Sequence, residues 1–206
     1  ASSVYLWDQD LGITWLRNAN INGSADWTTQ NNYAQNLVTG TGANAISDWR
    51  LPSITDGGTG CNFSYAGGTN CGYNVDTSGS EMAHLFYMTL GNLAVCSAGN
   101  VTCSFTNPGY GLHNVGDFLN MQSYAYWSGT EYAQDTSLSW FFFTDSGYQN
   151  YNYDRGNGFY AMAVRPGDVL VASAQVPEPE SLVLALTALA GLGLVRRRRA
   201  VGASAL

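Results

Sequence analysis

The sequence predicts an α+β domain followed by a single C-terminal hydrophobic helix. Three observations lead there. Two helix signatures lie in the first half of the body. Short strand signatures, separated by turn residues, fill the second half. Last, an uncharged run from Leu182 to Val195 ends in four arginines, Arg196 to Arg199. Helices early and a β-meander late, with strands from both ends of the body, is the α+β arrangement.

Each element follows from its residues. Val4 to Trp7 and Ile13 to Leu16 are apolar runs around Asp8-Gln9-Asp10-Leu11-Gly12, which reads as a hairpin. Asp26 is placed to cap a helix over 27–38, with Trp27, Ala34, Leu37 and Val38 on one face and Gly40 as its stop. Asp48 to Pro52 is extended, because Pro52 biases Leu51 away from the α region. Ser78 and Glu81 fit a capping box for a second helix, in which Met82, Leu85, Phe86 and Leu90 recur at helical spacing before Gly91. Strands are expected at Tyr124–Ser128, Ser139–Phe143, Tyr148–Tyr153 and Phe159–Arg165. Asp145-Ser146-Gly147 and Asp154 to Gly158 supply turns between them. Trp7, Trp15, Trp49, Trp127 and Trp140 are expected in the core, since each removes a large apolar area from water.

Composition bounds the function. The 206 residues contain no lysine, and half of the eight arginines are Arg196 to Arg199. Before Val176, four arginines face 13 acidic residues, a formal charge of −9. Such a body repels phosphate backbones, which argues against nucleic acid and against strongly anionic glycans as partners. Arg50 and Arg165 stand in apolar settings and read as structural ties through forked hydrogen bonds to a carboxylate or to backbone carbonyls, with Asp48 and Glu131 as candidate partners. The four cysteines, Cys61, Cys71, Cys96 and Cys103, are read as two local disulfides, Cys61–Cys71 and Cys96–Cys103, each closing a short Gly/Asn-rich loop. Zinc is the rival reading, weakened by the lack of a C-x-x-C pair and the presence of only His84 and His113.

No nucleophile elbow, H-E-x-x-H or phosphate loop occurs; His84 reads as a helix-surface or half-buried histidine in preference to a general base, and His113 lies in a Gly-rich loop with no nucleophile assignable to it. The chain is therefore read as a non-enzyme with no cofactor. Asp8/Asp10, Asn74/Asp76 and Asp154/Asn157 supply the oxygens that calcium prefers, but none fits an EF-hand loop, and turn formation is the simpler reading. No metal ligand is assigned. One stretch stands out as a binding surface. In Gly147 to Tyr160, Tyr148, Tyr151 and Tyr153 interleave with Gln149, Asn150 and Asn152. Tyrosine with Asn and Gly gives rigid, half-polar contact area. Sugars suit it, because ring faces stack on Tyr and hydroxyls bond to amides. Tyr148, Asn150, Tyr151, Asn152 and Tyr153 are the candidate ligand residues.

Two resemblances add to this reading. Val176-Pro177-Glu178-Pro179-Glu180, a short apolar segment and an Arg run resemble a PEP-CTERM sorting signal. Pro177, Glu178, Pro179 and Arg196, Arg197, Arg198 and Arg199 carry the motif. The resemblance implies a bacterial exported protein, held transiently in the inner membrane with its arginines on the cytoplasmic side. An exosortase would then cleave it and pass it to the cell surface or exopolysaccharide matrix. The ordered set DWRLPS, SEMAHLFYMTLGN, YWSGTEY and AVRPG resembles the DUF1566 family. That family is similar to C-type-lectin-like domains and, more remotely, to the formylglycine-generating enzyme fold. The EPN, QPD and WND triplets of calcium-dependent lectins are missing.

The domain plan is 1–168 as a DUF1566/C-type-lectin-like domain, 169–175 as a linker, 176–199 as the sorting segment and 200–206 as a short tail. Three functions are compatible with it. The first is glycan or matrix binding by a surface protein. The second is a structural or protein-binding adhesin without glycan affinity. The third is an oxidase of the formylglycine-generating type.

Overall fold

A computed structural model describes residues 3–58, 61–103 and 106–169. The expected C-terminal helix and the sorting segment lie outside the described residues. Strand β1 (Tyr5–Asp8) pairs antiparallel with β2 (Ile13–Leu16), and β2 pairs with β8 (Val164–Pro166), so the two ends of the body share one sheet. Helix α1 (Trp27–Gln35) follows. A second sheet has the order β3-β4-β7-β6-β5, built from β3 (Phe63–Ser64), β4 (Cys71–Tyr73), β5 (Ala125–Glu131), β6 (Ser139–Phe143) and β7 (Tyr148–Asn150). Its pairs are antiparallel except β3–β4, which is parallel. The meander strands β5, β6 and β7 pair antiparallel, and the parallel pair is made by β3 and β4, where no strand was expected. Phe63 and Cys71 are register partners, and the Cys61–Cys71 disulfide ties the same two segments.

The first helix begins as its sequence dictates. The Asp26 carboxylate accepts the Thr29 N–H at 3.0 Å and the Thr29 hydroxyl at 2.6 Å, which satisfies an orphan donor of the first turn. It ends three residues earlier than expected. The Asn36 amide donates to the Asn32 carbonyl at 2.8 Å and closes the helix before Leu37 and Val38.

The second helix departs further. Ser80, two residues after the expected Ser78, is the cap: its hydroxyl accepts the Ala83 N–H at 3.1 Å. Ser78 instead donates to Asp76 at 2.8 Å within a 3-10 turn. Glu81 does not reach back to the backbone of Ser78, because Arg50 offers a stronger partner. The Arg50 guanidinium grips both Glu81 oxygens at 2.7 Å, and the Ser53 N–H adds a third bond at 2.7 Å. Arg50 is thus a structural tie, but to Glu81, not to Asp48 or Glu131. Glu131 pairs with Arg155 at 2.7 Å, and that guanidinium lies 4.0 Å over the Trp27 ring. Among the described residues the Arg165 Nε has no hydrogen-bond partner, so the predicted tie is not formed through it. After α2 (Glu81–Ala83) the chain continues as a π-helical turn, His84–Thr89, marked by the Leu90 N–H to Leu85 carbonyl bond at 2.9 Å.

Trp15, Trp49, Trp127 and Trp140 are each at most 2% exposed. Burial of each side chain contributes roughly 2–3 kcal/mol. Trp7 is the exception at 36%, because it points outward from the edge strand of its sheet. The expected strand Phe159–Arg165 is mostly a run of single bridges, Ala25–Phe159, Tyr126–Tyr160 and Arg50–Val164, before β8 proper.

Candidate functional site

The second sheet builds an aromatic groove on one of its faces. The period-2 alternation of strands decides which residues reach it. Tyr73 on β4, Tyr148 on β7 and Phe143 on β6 are cross-strand neighbours, so their rings share a face. Gln149 and Phe142, one residue on, point to the opposite face and are buried. There Gln149 accepts the Ser80 hydroxyl at 2.6 Å and donates to the Asn70 carbonyl at 2.8 Å.

The rings form an unbroken row. Phe63 meets Tyr65 edge-on with centroids 5.0 Å apart, and Tyr65 stacks on Tyr73 at 6.0 Å. Tyr73 leans on Tyr148 at 5.1 Å. Phe143 then bridges Tyr148 at 6.3 Å and Tyr153 at 6.1 Å. Phe63, Tyr65, Tyr110 and Tyr153 are 38–43% exposed, an unusual outlay of ring surface for one face of a small body. Tyr73, Tyr110, Phe143, Tyr148 and Tyr153 wall an open groove of about 540 Å³ together with Asp145, Ser146 and Asn152, and Phe63 and Tyr65 extend the ring row beyond it.

Burial, reinforced by the neighbouring Tyr148 and Tyr65 hydroxyls and by Asp145, raises the Tyr73 pKa above the ordinary phenol value. Tyr148 is also raised, by burial first, although its hydrogen bond with Asn150 works against the shift. At neutral pH both phenols therefore keep their protons and remain donors.

The sequence-predicted residues separate into two groups. Tyr148, Asn152 and Tyr153 line the groove. Asn150 and Tyr151 turn into the protein. Asn150 is 6% exposed, donates to the Tyr148 hydroxyl and accepts the Tyr151 N–H at 2.8 Å. That local bond replaces a ladder bond and ends β7 at Asn150, short of the expected Tyr153. Tyr151 stacks on Tyr132 at 3.6 Å and packs beside Trp140. Sequence reasoning missed Phe63, Tyr65, Tyr73, Tyr110 and Asp145. The i, i+2 spacing of Phe63 and Tyr65, flanked by the cysteines of one short loop, is the signal that marked them.

The other candidates resolve locally. The cysteines pair as expected, Cys61 with Cys71 and Cys96 with Cys103. His84 has its Nε2 4.0 Å from Asp10. Asp8 accepts the Leu11 N–H at 3.2 Å, and Asp76 and Asp154 accept the Ser78 and Gly156 N–H groups, so each closes its own turn. Among the described residues no group of three His, Cys, Asp or Glu side chains is placed to hold a metal ion. A larger cleft, about 680 Å³, runs between β1 and the π-helical turn. Of its lining aromatics, Trp15 and Phe118 are buried, Tyr5 is half-buried and Trp7 is the most exposed, and its Asp8 accepts the buried Trp15 indole N–H at 3.4 Å. It has no aromatic row, so the groove on the second sheet is the better site.

The comparison with known families bears on the tail. Residues 175–199 match the PEP-CTERM protein-sorting motif, which spans Pro177 to Pro179 and Arg196 to Arg199. The motif implies exosortase-dependent export and sorting to the cell surface. Among the described residues no helix is long and apolar enough to cross a membrane. No curated protein and no solved structure matches the chain.

Proposed function

We propose that the chain is a non-enzymatic glycan-binding protein of the cell surface or exopolysaccharide matrix, with the aromatic groove as its binding site. The continuous ring row from Phe63 to Tyr153 carries the reading. Exposed tyrosines present flat faces to sugar rings, while protonated hydroxyls, the Asn152 amide and the Asp145 carboxylate face sugar hydroxyls. The sorting motif, which implies export to the cell surface, supports this reading. Its processing partner is an exosortase, after a transient stay in the inner membrane.

The body is read as a DUF1566 domain of C-type-lectin-like kind. The β1-β2-β8 sheet that joins the two ends of the body and the two disulfides support that reading. The formylglycine-generating alternative requires reactive thiols, and the described cysteines are all disulfide-bonded.

The test is co-sedimentation of the full chain with purified exopolysaccharide from its producer. Saturable pull-down is expected. A chain that stays in the supernatant at every polymer concentration removes glycan binding and leaves the adhesin reading.

A further inference from the structure

We infer that the groove selects a glycan carrying a protonated amine, a cationic amino-sugar polymer, with Asp145 as the residue that receives the ammonium. This rests on the glycan-binding reading and goes on to name the ligand's charge class.

Asp145 lies at the start of the turn between β6 and β7, inside the groove wall. Its carboxylate is close enough to Tyr73 to act on that hydroxyl electrostatically. No side-chain hydrogen bond or ion pair engages it among the described residues, whereas Asp8, Asp26, Asp56, Asp76, Asp135 and Asp154 all close turns or caps. A carboxylate held among aromatic rings without a donor has its full accepting capacity open to a ligand.

The groove wall contains no cation to compete for it. The arginines of the body are placed elsewhere. Arg17 donates to the Asp117 carbonyl, Arg50 grips Glu81, Arg155 pairs with Glu131, and Arg165 sits on β8 in the other sheet. An ammonium entering here gains one full opposite charge and the faces of Tyr73 and Tyr148, which attract cations through their ring quadrupoles. A uronate or sulfate meets Asp145 with like charge and nothing to offset it.

The experiment measures binding of the full chain to labelled soluble oligosaccharides of equal length by fluorescence anisotropy. The probes are a glucosamine oligomer, its N-acetylated counterpart and a polyuronate. Two variants remove one charge each: Asp145→Asn in the groove, and Asp10→Asn, whose side chain is 81% exposed and lies outside it. The glucosamine oligomer should bind tightest. Asp145→Asn should weaken it about tenfold, the size expected of a charge-assisted hydrogen bond, while Asp10→Asn leaves it nearly unchanged. Equal affinity for the amine and its acetylated form overturns the inference. Tighter binding of the polyuronate also overturns it. Equal losses in the two variants do the same, by reducing the effect to attraction between a polycation and an acidic surface. If none of the three glycans binds, the failure lies with glycan binding itself.

Discussion

At the scale of single residues, the loops are held by carboxylates that each gather several donors. Asp56 accepts the Trp140 indole N–H at 3.0 Å, the Ala133 N–H at 2.7 Å and the Gly58 N–H at 2.9 Å. Burial pushes its pKa up, but these three donors outweigh it and hold the carboxyl below the ordinary value. Its contribution is therefore present above the unfolded carboxylate pKa and is lost as pH falls through the lower folded value. Asp56→Ala should lower stability by about 2 kcal/mol, because the buried indole loses its acceptor. Urea unfolding checks this; an unchanged midpoint contradicts the account. Glu81→Gln should cost about as much, by breaking the fork to Arg50 and weakening the bond from the Ser53 N–H.

At the scale of elements, the groove depends on how β3 is fastened. Strand β3 is two residues long and lies at the edge of its sheet. Its Phe63 and the following Tyr65 are exposed, so apolar burial contributes little to holding them. The Cys61–Cys71 disulfide closes a loop of 10 residues and fixes the strand beside Tyr73. Replacing both cysteines with serine should destabilise the body by about 2–3 kcal/mol and weaken glycan binding as well. Unaltered affinity in that variant would show that Phe63 and Tyr65 lie outside the binding site.

The same scale shows what a sequence reveals. The Asp26 cap, the hairpin β1–β2, β6 and both disulfides were readable because their determinants are local. The capping box was misread because Glu81 answers to Arg50, a partner from another element. Tyr151 and Tyr153 look alike in sequence and have opposite fates. Tyr132 takes the first into a stack, while the second remains 42% exposed. Tyr73 entered the site through strand pairing with Tyr148, and no local pattern encodes that register.

At the scale of the molecule, two buried phenols make stability sensitive to alkali. Burial raises the Tyr87 pKa far above the ordinary value, with the bond from the Asn74 N–H opposing; Tyr126 is raised the same way, with Gln122 opposing. The unfolded chain ionises these tyrosines near pH 10, whereas the folded chain keeps their protons. Their contribution is thus complete below about pH 10 and is lost as pH rises beyond it. Melting temperature should stay level from neutral pH to about pH 9 and fall steeply towards about pH 11. A level profile through that range would contradict the burial of these hydroxyls.

The central claim is that the aromatic groove binds the glycan. It is tested most directly by substituting the two exposed tyrosines that line it, Tyr110→Ala and Tyr153→Ala, in the full chain. Neither hydroxyl makes a hydrogen bond within the described structure, and both rings are more than a third exposed, so the fold should persist. The measurement is the binding isotherm for the producer's exopolysaccharide. The account predicts an affinity lowered about tenfold or more in the double variant, with melting temperature little changed. Wild-type affinity in a folded double variant would place the binding surface elsewhere and contradict the account.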